Sequence, residues 1–310
     1  MNTAVALIFF NRPSTLQQVF DKIKQAKPPK LFLIQDGPRN EQDIVKIQEC
    51  RKVVSNIDWD CEVITDYAEE NLGCGVRPQS GITNALKQVD KLIILEDDCV
   101  PELSFFQYCE ELLEKYENDE RIAYISGLNH FEEWDFGGAS YGFTKTGAIW
   151  GWATWRRAWA RYDYAVSEIN NEYIQKLLKS NMIDAEKRIG VWKETNQLVM
   201  KNQKISYWDW QWGFVKYSQS QYVIVPQYNL ICNIGTGVDS THAQTAKATH
   251  KKYKDYNHMP TKTIDFPLTH PKHMLCSKDY DERVVKTNRG NIFTNIVKSI
   301  IKKFRGNNIN

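Results

Sequence analysis

Leu92-Ile93-Ile94-Leu95-Glu96-Asp97-Asp98 sets four apolar residues directly against three consecutive carboxylates. So apolar a run predicts a strand buried on both faces, as in a parallel sheet covered by helices. Three carboxylates at the end of such a strand repel one another, and their burial is costly without a cation. Oxygen-rich sites of this kind suit Mg²⁺ or Mn²⁺, and one or two carboxylates plus phosphate oxygens suffice for such a metal. The plainer alternative is a solvated turn, or an N-cap for a helix starting near Pro101.

The same grammar extends upstream. Ala4 to Phe10 is continuously apolar and stops at Asn11-Arg12-Pro13. Ser14 with Gln17 then offers a capping box, and Leu16, Val19, Phe20 and Ile23 follow at helical spacing. A second strand, Leu31–Ile34, runs into Gln35-Asp36-Gly37; helical spacing returns at Ile44, Ile47 and Val54, and a third strand reads Cys61–Thr65. A short helix is expected around Ile82–Leu86, another from Phe105 to Tyr116, and a further strand at Ile122–Ile125. Strands alternating with helices predict an α/β fold with a mostly parallel, doubly wound sheet. Polar residues then fall just past the C-terminal strand ends, where such sheets bind ligands.

Beyond about residue 130 the pattern loosens into aromatic and glycine-rich stretches, read as a substrate-binding half. The expected division is 1–245 for the main domain, split into 1–130 and 131–245, with a C-terminal extension over 246–310. Residues 243–280 are polar and weakly periodic. From Val284 onward there are six basic residues and no acidic one, and Ile292, Phe293, Ile296, Val297, Ile300 and Ile301 form an amphipathic stripe.

The whole chain has 310 residues and a net charge of +2, without the basic excess of a bulk nucleic-acid binder. No stretch approaches the roughly 18 apolar residues of a membrane span, and the N-terminus lacks a signal-peptide pattern. Seven scattered cysteines, never spaced C-x-x-C, read as reduced cytosolic thiols. Aromatics are the unusual feature, with 10 Trp, most of them between positions 134 and 212.

Several segments carry candidate chemistry. Arg12 suits a phosphate or a base, and Asp36 can accept from a pyrimidine N–H or a ribose hydroxyl; alone, each is equally a turn residue. Asn71 to Arg77 is a glycine loop with one basic residue, Arg77, lacking the third glycine of a dinucleotide fingerprint. It reads either as a surface turn or as backbone approaching a pyrophosphate. Trp150-Gly151-Trp152 and Trp208-Asp209-Trp210-Gln211-Trp212 set flat rings beside hydrogen-bonding groups, which suits a sugar ring and equally a packed core. Asp209, among those rings, is a candidate base or the cap of the helix that follows. His242 ends a flexible stretch from Asn233 and is either a metal or phosphate contact or merely exposed.

Taken in order, these segments resemble the nucleotide-sugar glycosyltransferases of the GT-A fold. They most resemble bacterial relatives of the animal N-acetylglucosaminyltransferase I family, among surface-polysaccharide and hemolysin-type sequences. Phe10-Asn11-Arg12-Pro13, Gln35-Asp36-Gly37, Glu96-Asp97-Asp98, Trp150-Gly151-Trp152, Trp208 to Trp212 and Asn233 to His242 carry it, across roughly residues 4–245. The resemblance implies that Arg12, Asp36 and Arg77 hold the nucleotide of a UDP-sugar, Asp36 reading the uracil edge. It implies Asp98 as a direct ligand of Mn²⁺ or Mg²⁺, Asp97 on the ribose and Glu96 on the donor sugar. Gly151 and Trp152 would line the sugars, Asp209 would be the general base, and His242 would lie on a loop closing over the diphosphate and metal. Animal members carry a second acidic residue near the base, where this chain has Trp210-Gln211.

The activity so implied is inverting transfer of a sugar to a hydroxyl of a glycan or lipid-linked oligosaccharide. Its setting would be bacterial surface polysaccharide synthesis at the cytoplasmic face of the membrane. Residues 284–310 are read either as a peripheral contact with anionic membrane or as a helix packed on the domain. A nucleotidyltransferase making nucleotide sugars and a non-catalytic glycan-binding protein are the rivals. The first wants a basic, glycine-rich loop for a triphosphate near the start, which is absent; the second has no need of the carboxylate triplet.

Overall fold

A computed structural model describes residues 1–235 and 256–287. In chain order the elements are β1 (Ala4–Phe9), α1 (Pro13–Ala26), β2 (Lys30–Gln35), α2 (Glu41–Val54), β3 (Glu62–Tyr67), α3 (Arg77–Leu86), β4 (Lys91–Glu96), β5 (Cys99–Pro101) and α4 (Ser104–Lys115). They continue with β6 (Ile122–Ser126), β7 (Tyr141–Thr144), β8 (Trp152–Trp155), α5 (Arg156–Trp159), α6 (Glu172–Asn181), α7 (Ala185–Met200), α8 (Asp209–Ser218), β9 (Tyr222–Pro226) and β10 (Ile231–Asn233). Eight strands form one sheet in the order β3-β2-β1-β4-β8-β6-β9-β7. The first four pair in parallel, β8 enters antiparallel between β4 and β6, and β6 pairs with β9 in parallel. The α/β fold and mostly parallel sheet are as expected.

Strand periodicity explains why both faces are covered. Val5, Leu7 and Phe9 of β1, with Ile93 and Leu95 of β4, pack against α1, α2 and α4. Ala4, Ala6 and Ile8, with Leu92 and Ile94, pack against α3, α5 and α8. Because successive side chains point to opposite faces, a strand apolar at every position must be sandwiched in this way. A smaller cluster around Trp192 and Phe214 fills the space between α6, α7 and the outer side of α8.

Three expectations need correction. Ser14 makes no capping bond: the helix starts at Pro13, with Arg12 as N-cap, because proline at the first helical position supplies the turn's φ by itself. The third strand runs Glu62–Tyr67, since its pairing with β2 continues to Gln35↔Tyr67, and as an edge strand it is only partly buried. Past residue 130 the chain is far from loop-like. Strands β7, β8 and β9 complete the same sheet, although two of them are only four residues long and show no readable period. Residues 256–287 also contribute, with Ile264 and Leu268 in one face of the core and Tyr280 and Val284 in the other. All seven cysteines are free thiols. No helix among the described residues is long and apolar enough to cross a membrane. His242 and the stripe Ile292 to Ile301 lie outside the described residues.

Helix α8 is held to the β7–β8 connection by an unusual group. Lys216 is buried and its Nζ donates to the Lys145 carbonyl. Burial pushes its ammonium down to about 7, with Arg188 and Lys145 adding repulsion and Asp281 opposing. A folded-state value below the unfolded one means that the unfolded chain holds the extra proton between about pH 7 and 10.4, so stability rises across that window as pH rises. Urea titrations are therefore expected to show a gain in stability from pH 7 to 9 in the wild type. In Lys216→Met that gain should shrink, with higher stability at pH 7.

Candidate active site

Burial and charge at the C-terminal end of β4 organise the site. Asp97 is only 3% exposed, accepts from the Phe10 amide at 3.2 Å and pairs with the Arg12 guanidinium. Arg12 reaches Asp98 as well, Nη1 to Oδ2 at 3.0 Å. It can do so because Asn11-Arg12-Pro13 follows β1, which pairs with β4 in parallel and delivers both strand ends to one edge. Burial opposes charge on Arg12, yet the two carboxylates outweigh it and hold the guanidinium firmly protonated. Glu96 fares differently: burial, then Asp98 and Asp97, push it up to about 8, with only Arg12 pulling the other way. Burial also raises Asp97 against the pull of Arg12. One guanidinium thus faces three carboxylates.

The far wall of Asp98 comes from the C-terminal part of the chain. Strand β10 pairs with β5, Asn233 opposite Cys99, and the Ile234 amide donates to the Asp98 carbonyl at 2.8 Å. The backbone of Gly235 lies so close that a methyl group there would fall 2.1 Å from Asp98 Oδ2. The start of the Asn233–His242 stretch is therefore brought onto the carboxylates.

Asp36, at the end of β2, is 7% exposed and heavily bonded. Its Oδ1 accepts from the Gly37 and Leu72 amides at 2.9 and 2.8 Å, and its Oδ2 from the Gly73 amide and Asn71 Nδ2 at 2.9 and 3.1 Å. The glycine loop it holds continues to Cys74, whose Sγ lies 2.9 Å from the Ser206 carbonyl. At Gly75 a Cβ would fall 2.0 Å from the Ile205 carbonyl oxygen. Only glycine permits that crossing of two backbones.

Segment 205–209 leads into α8, and Asp209 is its exposed first helical residue rather than its cap, a position where a negative charge is favoured. The surrounding chain is pinned: Tyr162 donates to the Trp208 carbonyl at 3.1 Å, Trp192 Nε1 to the Trp210 carbonyl at 2.7 Å, and Thr195 bonds the Tyr207 hydroxyl at 3.0 Å. Asp209 is close enough to add to the upward push on Glu96. Cys74 lies among the charges too; burial raises its thiol, and Glu96, Asp36 and Asp209 raise it further. Arg12, Asp36, Glu96, Asp97, Asp98 and Asp209 therefore share one neighbourhood.

Other expected residues are placed differently. Arg77 is buried, its guanidinium bonded to the Gln35 carbonyl at 3.1 Å, to Asp66 Oδ1 at 2.6 Å and to the Asp66 carbonyl. It braces the ends of β2 and β3 against α3. Trp152 is fully buried between Trp208, Trp212, Trp159 and Tyr124, so its ring has no face to offer a sugar. Gly151, at φ +58°, is packed against Ile231, and its carbonyl accepts from the Gly127 amide at 2.8 Å. Sequence reasoning missed the Asn11–Asp43–Arg39 group beside this edge, in which Arg39 holds the Asp43 carboxyl down to about 2. It also missed the role of segment 205–207, which carries no residue type that announces it.

Among the described residues no group of three or more His, Cys, Asp or Glu is placed to hold a metal ion. The donors present do fit a divalent cation of the kind that takes one or two protein carboxylates and completes its shell with phosphate oxygens and water. Asp98 supplies such a donor, and the excess of carboxylate over guanidinium supplies the charge.

No protein-family model and no curated protein matches the chain. Among solved structures it is similar to 4-diphosphocytidyl-2C-methyl-D-erythritol synthase from Anaerococcus prevotii, at 10% identity over 78% of this chain and 97% of that one, TM-score 0.34. It is also similar to a UDP-glucose pyrophosphorylase complexed with UDP-glucose, at 9% identity over 74% and 92%, TM-score 0.35. A putative nucleotide-diphospho-sugar transferase from Desulfovibrio desulfuricans matches at 12% identity over 51% and 65%, TM-score 0.26. Likeness at these scores supports no reading of activity.

Removing Arg12 leaves Asp97 buried without a cation, a change that typically costs about 3–5 kcal/mol. Arg12→Met is expected to lose stability of that order in urea titrations, whereas Lys278→Met, at the exposed Lys278–Glu282 pair, should lose about 1 kcal/mol or less.

Proposed function

We propose that the chain is a metal-dependent glycosyltransferase that uses a UDP-sugar and transfers its sugar, with inversion, to a hydroxyl of a glycan. The observation that carries this reading is the pairing of an exposed carboxylate, Asp209, with a buried carboxylate cluster that one arginine leaves under-neutralised. The first suits proton abstraction; the second suits a cation and the diphosphate that comes with it.

In this reading the donor diphosphate lies over the C-terminal ends of β1 and β4. Asp98 is the protein ligand of Mn²⁺ or Mg²⁺, with His242 as the second ligand that the family resemblance implies. When bound, the divalent cation stabilises the negative charge that develops on the departing diphosphate. Arg12 fixes the positions of Asp97 and Asp98. Asp97 faces the ribose and Glu96 the donor sugar. Asp209 takes the proton of the acceptor hydroxyl as its oxygen forms the new bond to the anomeric carbon and the bond to the diphosphate breaks. Attack by the acceptor oxygen itself is a single in-line displacement, hence inversion. A surface polysaccharide or its lipid-linked precursor, made on the cytoplasmic side, is the acceptor class this reading favours.

Transfer assays with UDP-sugars and glycan acceptors test the assignment. Asp209→Asn is expected to lower kcat about 10²- to 10⁴-fold while donor binding stays within twofold of wild type. Proton NMR of the product should show the anomeric configuration inverted; a retained configuration, or full activity in Asp209→Asn, contradicts the mechanism.

A further inference from the structure

An ionised carboxylate has about four lone-pair positions, and Asp36 uses four. The amides of Gly37, Leu72 and Gly73 and the side chain of Asn71 occupy them at 2.8 to 3.1 Å. Three of these donors are backbone, so Asp36 ties the end of β2 to the course of the loop itself. The loop so held does not end in solvent. Within three residues it crosses segment 205–207, with Cys74 Sγ 2.9 Å from the Ser206 carbonyl and the Gly75 backbone against the Ile205 carbonyl. Two residues beyond that segment is Asp209. A continuous path of hydrogen bonds and close backbone contact thus joins the end of β2 to the start of α8, elements far apart in sequence.

We propose that Asp36 is a positioning residue that acts through loop 71–75 to set the segment carrying Asp209. The catalytic part of this inference rests on the reading of Asp209 as the base; the structural part does not. Asparagine at position 36 is isosteric but loses two acceptor sites and turns an N–H₂ toward N–H donors, so the loop should open more often. The thiol of Cys74, half-buried and bonded to the Ser206 carbonyl, reports a change in that contact.

Alkylation by N-ethylmaleimide in the absence of ligand, mapped by peptide mass spectrometry, is the test. In Asp36→Asn the rate at Cys74 should rise about tenfold, with the rate at Cys61 unchanged as internal control. Asn71→Ala, which removes one bond and leaves Asp36 intact, should raise it in the same direction by less, and it covers the case in which Asp36→Asn fails to fold. In transfer assays both variants should lose kcat and keep the donor KM. An unchanged Cys74 rate in the variants, or a change confined to donor KM, overturns the proposal. A wild-type chain that transfers no sugar would remove the glycosyltransferase reading and leave the alkylation comparison to decide the loop's role.

Discussion

Buried negative charge at the end of β4 is the constraint around which this molecule is arranged. Carboxylates removed from water are tolerated only with a partner; among the described residues Arg12 pairs with Asp97 and Asp98 and is the cation that opposes the upward push on Glu96. That arginine can reach them because β1 and β4 are parallel neighbours. The imbalance left over is the feature on which the proposed binding of a cation and a diphosphate rests.

The second theme is how distant segments are brought to that edge. Backbone meets backbone or carboxylate at Gly75 and Gly235, where a single methyl group would force them apart. Through these contacts loop 71–75 touches the segment before Asp209, and the chain just after β10 lies over Asp98. The aromatics that crowd the later sequence serve the same end from below. Trp152 and Trp159 form the floor against which Trp208 and Trp212, at the start of α8, are packed, so that Asp209 is displayed from an anchored helix start.

Much of this was legible beforehand, for identifiable reasons. Strands β1, β2 and β4 announce themselves because a strand buried on both faces is apolar at every position, and the carboxylate triplet is conspicuous against such a background. Strands β7 and β8 were illegible, being four residues long and stabilised by cross-sheet packing rather than by pattern. Trp152 illustrates the ambiguity of aromatic residues: the same ring serves a sugar or a core, and only its burial decides. Arg77 and Asp36 show a related limit. Each is the residue type a ligand site uses, but the bonds that occupy them come from Gln35, Asp66 and the 71–73 backbone, which sequence spacing does not reveal.

A donor site at the carboxylate edge would bind a nucleoside diphosphate together with a divalent cation. Calorimetric titration of UDP into the full chain, with and without Mn²⁺, and repeated on Asp98→Ala, measures this directly. Binding that requires Mn²⁺ and is lost in the variant is the predicted result. UDP binding indifferent to both Mn²⁺ and Asp98, or no binding under any condition, would contradict it.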